Sequence, residues 1–329
     1  MVSGRRLQWV ITLFVVTLCL TCYLSTVPGV SASSGDRSPV FRQCCENCES
    51  TLCHDQSNRK PLPLGLRLLF WNCPQNCQYE CMQTITQEAK LQGERIHQYF
   101  GKWPFYRFLG IQEPASTVFS LLNGYAHWSH WSVLRSELHP NYYMRPWYLM
   151  YLVVNVNTWL WSTVFHMRDF GWTEKMDYFS AGFSVLFMLL VAVIRNLRLD
   201  WRKSPQAVKS IVGLHLVAFL AHVSYLTFWK FDYGYNMLAN VLVGLLCNIM
   251  WVTWSWRHRS SHPMAWRPTL CVLLISAAMS LELFDFPPFL GILDAHSLWH
   301  ASTIPIIFMF YNFVRCDADW DYKVLHLKK

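Results

Sequence analysis

The sequence predicts an all-α polytopic membrane protein: a seven-transmembrane helix bundle with a small disulfide-rich lumenal domain on its N-terminal side. Three observations predict it. Hydrophobic residues make up 53% of the 329 positions and charged residues only 15%, a balance suited to lipid rather than to a water-facing surface. Apolar stretches follow one another with short breaks between positions 111 and 314, most of them close to the length of about 20 residues that a helical span needs. Cysteines crowd into one polar segment ahead of those stretches and are sparse beyond it.

Residues 1–32 read as a signal peptide. Arg5 and Arg6 form a basic start, Leu7 to Leu24 an apolar run, and Val30 with Ala32 a small-residue cleavage site; the run is long for a signal, and an uncleaved anchor is the alternative. Residues 33–110 form the cysteine-rich domain, with Cys44, Cys45, Cys48, Cys53, Cys73, Cys77 and Cys81. Such clustering fits an oxidising compartment, where disulfides hold together a unit too small for a sufficient core. The spacings Cys44-x3-Cys48-x4-Cys53 and Cys73-x3-Cys77-x3-Cys81 form two triplets, so Cys45 is the candidate spare thiol. Connectivity is not readable from spacing, and a zinc cluster is the rival reading.

Seven apolar stretches follow, at about 112–133, 146–166, 176–195, 207–229, 235–256, 267–285 and 296–314, leaving 315–329 as a cytosolic tail. The first is the weakest, because His127, His130 and several serines dilute it. Between the stretches, the loops on the tail's side, together with the tail, hold fourteen Lys and Arg residues, from Arg135 to Lys329; the alternate loops hold Arg168, Lys175 and Lys230. That asymmetry places the tail in the cytosol and the cysteine-rich domain in the lumen. The net charge of +8 is then mostly topology; no basic groove with interleaved aromatics points to nucleic acid.

The second stretch ends and the third begins within "WSTVFHMRDFGWTEKMDY", which places Ser162 and His166 one helical turn apart and Asp177 at the same expected membrane depth. "LDAHSLWHASTIP" places His296 and His300 four apart at the start of the seventh stretch. Two imidazoles at that spacing can share one metal ion, and His166 supplies a third. Three neutral imidazoles with an open fourth position describe a catalytic zinc site, where the metal acidifies a bound water and polarises a carbonyl. Asp177 would orient an imidazole or take a proton from the water, and Ser162 would hydrogen-bond the water or the developing oxyanion. A single histidine near a helix end is ordinarily interfacial or hydrogen-bonded. The weight lies in five polar groups at one depth, where ionisable side chains are costly. His127 with His130, and His215 with His222, read as packing pairs; Glu282, Asp285, Asp232 and Asp294 line a headgroup site or solvate loops. There is no Gly-x-Ser-x-Gly elbow and no phosphate-binding Gly-rich loop.

Ser at i, His at i+4, Asp at i+15 and a later His-x3-His resemble the seven-span hydrolase superfamily that includes alkaline ceramidases and adipoQ-type receptors. Within it, "FGKWPFYRFLGIQEPAS", "HVSYL", "FDYGYN" and "LDAHSLWHASTIP", with the cysteine triplets, closely resemble the post-GPI-attachment-to-proteins factor 3 family of Per-like GPI phospholipases, from about residue 36 to 314. The resemblance implies a GPI-specific phospholipase A2-like enzyme acting on GPI-anchored proteins, which removes the sn-2 acyl chain of the anchor lipid. It implies a multi-pass membrane location in the Golgi, or in the endoplasmic reticulum as for fungal relatives. It also implies zinc on His166, His296 and His300, with Asp177 and Ser162 in support. Cys45 and the lack of an Asn-x-Ser/Thr sequon depart from the pattern without touching those residues. A ceramidase-like amidase and a non-catalytic receptor or GPI-protein chaperone are the competing readings.

Overall fold

A computed structural model describes residues 33–53 and 61–327, so the expected signal peptide at 1–32 lies outside the described residues. The cysteine-rich unit is built on two helices, α1 (Pro39–Leu52) and α3 (Cys73–Gln92), with a single-turn helix α2 (Leu64–Leu68) between them. Cys44 pairs with Cys81, Cys48 with Cys77 and Cys53 with Cys73. Ascending positions on α1 meet descending positions on α3, so the helices run antiparallel with the bridges stacked along one seam. These six sulfurs are covalently paired, which excludes the zinc-cluster reading, and Cys45 is left as the free thiol. The unit's core is thin, Phe41, Cys81 and Tyr99 being its buried members; cross-links supply what apolar burial does not.

Local sequence sets the ends of α3. Asn72 and Gln75 form a reciprocal capping box at its start, and Gly93 at φ 70° closes it in the left-handed conformation. Beyond it, a loop folds back across α2, where Gly110 (φ +90°) lies against Gly65; a Cβ on Gly110 would fall 2.6 Å from the Gly65 carbonyl oxygen. Only glycine meets both demands at Gly110.

The remaining helices are α4 (Pro114–Trp128), α5 (Trp131–Glu137), α6 (Arg145–Met167), α7 (Gly171–Leu197), α8 (Pro205–Ser224), α9 (Tyr233–His258), α10 (Trp266–Phe284) and α11 (Ala295–Leu327). A π-turn, Tyr225–Trp229, extends α8. Packing runs α4–α6–α7–α9–α10–α11 and back to α4, a closed ring with α8 outside against α7. Leu152, Val191, Ile194, Trp254, Tyr311 and Phe313 form its interior. Outward faces are apolar as well: Val217, Leu220, Phe228, Ile249 and Trp256 are exposed, as expected of surfaces that meet lipid.

Among the described residues, three helical segments, Gly171–Leu197, Pro205–Trp229 and Tyr233–His258, are long and apolar enough to cross a membrane. The first expected stretch is broken. Its helix α4 has 15 residues, about 22 Å at 1.5 Å per residue, and the chain turns at Ser129 and His130 before α5 begins. The seventh stretch, by contrast, continues unbroken through position 314 to Leu327. Asp317 and Asp321 in that extension are fully buried. Asp317 accepts hydrogen bonds from Arg195 Nε at 2.7 Å and Nη2 at 2.6 Å, and Asp321 accepts one from Arg198 Nη2 at 2.6 Å. The expected tail is therefore partly a packed helix.

Candidate metal centre

His166, His296 and His300 come together at the ring end capped by the cysteine-rich unit, each offering a ring nitrogen within 4.8 Å of the others. His166 closes α6, while His296 and His300 lie on the first turns of α11. His166 and His300 are each 2% exposed.

A carboxylate just ahead of α4 and another on α10 hold two of the rings. His166 Nδ1 donates to Glu113 Oε2 at 2.8 Å, and His296 Nδ1 donates to Glu282 Oε2 at 2.7 Å. Each bond fixes the proton on Nδ1 and leaves Nε2 as the lone-pair nitrogen. The two Nε2 atoms face each other at 3.3 Å. With both Nδ1 protons committed, two lone pairs point together. A tetrahedral zinc site with Zn–N bonds of about 2.0–2.1 Å has an N···N edge of about 3.3–3.4 Å, so the spacing fits a shared cation. His300 Nδ1 is engaged by Ser120 Oγ at 3.0 Å, and Ser120 Oγ meets Ser162 Oγ at 2.9 Å. The donor set of three imidazoles fits zinc by chemistry as well as by spacing.

Backbone pairing carries Glu113 to its ring. Gln112 N–H donates to the Met167 carbonyl and Glu113 N–H to the His166 carbonyl, both at 3.0 Å. Glu113 also accepts from Lys102 Nζ, which reaches Asp169 Oδ2 at 3.1 Å. Burial works against the Lys102 charge, but Glu113 and Asp169 outweigh it and raise its pKa above the ordinary lysine value. Further out, burial lowers Arg107 to about 10, assisted by the neighbouring Arg168 charge against the opposing pull of Tyr79 and Glu80.

Of the five residues singled out from the sequence, the structure brings Ser162, His166, His296 and His300 into one connected cluster. Asp177, on the second turn of α7, makes no hydrogen bond to the three imidazoles among the described contacts, although it lies within electrostatic reach of His166 and His296. The carboxylates bonded to the imidazoles are those of Glu113 and Glu282. Sequence reasoning did not single out Glu113 and left Glu282 as a loop or headgroup residue. A signal for Glu113 existed: it stands with Lys102 in "FGKWPFYRFLGIQEPAS", two ionisable groups beside an apolar stretch. His127, bonded to Tyr311 Oη at 2.8 Å, and His130, donating to the Ala126 carbonyl at 2.7 Å, serve packing.

Fold and site together define a helical membrane protein with a carboxylate-braced three-histidine centre at one end of its bundle. The Per1-like family model matches residues 63–318, and the chain belongs to that family. It is 43% identical over 302 residues to "Protein PER1 homolog" of Schizosaccharomyces pombe, covering 90% of this chain and 91% of that protein. It is 42% identical over 305 residues to "GPI-specific phospholipase A2-like PGAP3" of Danio rerio, covering 92% and 95%. The human protein of that name is 39% identical over 291 residues, covering 88% and 90%. No solved structure matches the chain.

Proposed function

We propose that this protein remodels the lipid of GPI anchors, hydrolysing the sn-2 acyl ester of the phosphatidylinositol moiety at the three-histidine centre. The observation that carries the reading is the convergence of His166, His296 and His300, two of them with Nδ1 held by a carboxylate, at one end of an apolar bundle. The names of the relatives, GPI-specific phospholipase A2-like, support the substrate class. The bundle is read as seven spans, with the centre at the lumenal face of a Golgi membrane or, as in fungi, of the endoplasmic reticulum. The loop asymmetry of Lys and Arg and the disulfides both support that orientation.

His166, His296 and His300 would hold zinc, which supplies an acidified water and a Lewis acid for the ester carbonyl. Glu113 and Glu282 fix a proton of His166 and His296 on Nδ1 and aim Nε2 inward. Asp177, the acidic side chain beside the rings that is bound to none of them, takes the proton from the attacking water and returns it to the glycerol oxygen as the ester C–O bond breaks. Ser120, in contact with His300 Nδ1 and with Ser162, donates to Ser162 and leaves the Ser162 hydroxyl hydrogen for the negative charge that develops on the carbonyl oxygen. Apolar helix faces admit the acyl chain while the anchor glycan stays in water.

The test is lipid analysis of GPI anchors in cells lacking the protein, rescued by wild type or by the double variant His296→Ala with His300→Ala. Wild type should restore remodelled anchors and the double variant should not. Full rescue by the double variant sinks the hydrolase reading, and unchanged anchors beside raised ceramide redirect it to an amidase.

A further inference from the structure

A cavity of about 200 Å³ lies between the cysteine-rich unit and the end of the bundle. Its lining holds three cations, Lys102, Arg107 and Arg168, against one carboxylate, Asp169. Lys102 is committed to Asp169 and Glu113, so that carboxylate is already answered. The two arginines are not. Neither takes part in an ion pair among the described residues, and their hydrogen bonds go to neutral groups: Arg107 to Asn76 Oδ1 and the Gln75 carbonyl, Arg168 to the Asp169 carbonyl and Gln75 and Gln112 side chains. Arg168 is 7% exposed, and its Nε is buried without any hydrogen-bond partner. Trp71 stacks against both guanidinium groups, with Arg107 Cζ 3.8 Å and Arg168 Cζ 3.6 Å from its ring centroid. A buried and a half-buried guanidinium fixed on one indole, with a donor unspent on the buried one, are an arrangement completed by an anion.

We propose that this cavity is the headgroup subsite of the enzyme and takes the phosphodiester of an inositol phospholipid, with Arg168 and Arg107 as its phosphate ligands. Guanidinium forks match phosphate oxygens, and the amides of Gln75 and Gln112 beside the aromatic lining suit the hydroxyls and ring of a polyol. Placement relative to the metal centre fits a glycerophospholipid, whose sn-2 ester and phosphate are separated only by the glycerol backbone. His166 and Arg168 are two residues apart, and Gln112 with Glu113 contacts one each, Gln112 reaching Arg168 and Glu113 reaching His166. The identity of the lipid rests on the hydrolase reading; the anion cavity does not.

The test is binding without turnover, on the full chain purified in detergent and carrying His296→Ala. Probes are dioctanoyl phosphatidylinositol, dioctanoylglycerol, inositol 1-phosphate and inorganic phosphate. Phosphatidylinositol should bind more tightly than dioctanoylglycerol. Arg107→Gln and Arg168→Gln should each weaken it about ten-fold or more, leave dioctanoylglycerol binding unchanged, and be partly rescued by Lys at the same position. Competition by inositol 1-phosphate or inorganic phosphate that is lost in both variants supports phosphate as the recognised group, and tighter binding of the lipid than of either marks the lipid headgroup as its source. Equal affinity for the two lipids, or wild-type affinity in both Gln variants with unchanged melting curves, overturns the subsite. Selective binding, beside no hydrolysis of GPI lipid by the protein with His296 intact, refutes the hydrolase reading and leaves the subsite standing. Unchanged KM in both Gln variants of an active enzyme does the reverse.

Discussion

Replacing Glu113 by Gln isolates the contribution of a carboxylate to the metal centre. The amide still accepts from His166 Nδ1, but it removes a charge shared by Lys102 and His166. Breaking a buried ion pair by deleting one partner costs about 3–5 kcal/mol. Here the lower end applies, because Lys102 is 20% exposed and keeps Asp169 at 3.1 Å. Removing a carboxylate behind a metal-bound imidazole lowers metal affinity roughly 10- to 100-fold, about 1.4–2.8 kcal/mol. Glu282→Gln should lower it by less, since His296 is 33% exposed where His166 is 2% and water can replace part of the contact. Zinc affinity, measured by competition with a chromophoric chelator on purified protein, gives the ranking wild type, Glu282→Gln, Glu113→Gln. Asp169→Asn, which touches Lys102 but no imidazole, should stay near wild type. Wild-type zinc affinity in Glu113→Gln, beside a clear loss in His166→Ala, would refute the bracing role.

Ser120→Ala removes the hydroxyl that joins Ser162 to His300; with about 1 kcal/mol for each lost hydrogen bond, hydrolysis should fall several-fold to some thirty-fold while zinc stays bound. Cys48→Ser with Cys77→Ser opens a cross-link of sequence separation 29 and should destabilise the N-terminal unit by about 3 kcal/mol, read as faster limited proteolysis of α1 and α3; Cys45→Ser should leave the disulfide count unchanged. Asp317→Asn removes the two-pronged partner of the fully buried Arg195, which keeps Asp321 at 3.5 Å, and should lower stability by about 3 kcal/mol in a melting experiment. Because it lies at the opposite end of the ring, zinc affinity should not follow.

How far the fold was legible depended on whether each signal was local. The cysteine triplets fall at near-helical spacing, so two helices facing each other were implicit in them, yet only the structure shows that they run antiparallel and nest the pairs. Apolar stretches marked the bundle helices to within a few residues, because each must bury or expose an apolar face whatever its neighbours do. Two elements run differently from the expected stretches, one for a local reason and one for a distant one. Ser129 and His130 turn back on carbonyls of α4 and break the first stretch. Asp317 and Asp321 fall in the segment expected as a tail, and their partners Arg195 and Arg198 lie 122 and 123 positions earlier, beyond any periodicity argument.

The same distinction divides the site. His296 and His300 announce themselves through a spacing of four, and Ser162 with His166 repeats it, since one helix face is a local property. Glu113 stands 53 positions from the imidazole it holds, and Glu282 acts across the α10–α11 turn. Neither role exists until the ring closes. That dependence has a physical consequence: the N-cap of α4 and α10 supply the carboxylates, α6 and α11 the imidazoles, and α4–α6, α10–α11 and α11–α4 are ring contacts. A metal bound to three rings and braced through two carboxylates would tie four of the six ring helices at one end. The Arg195–Asp317 pair joins α7 to α11 at the other end, so polar links clamp both ends of a bundle whose middle is held by apolar packing.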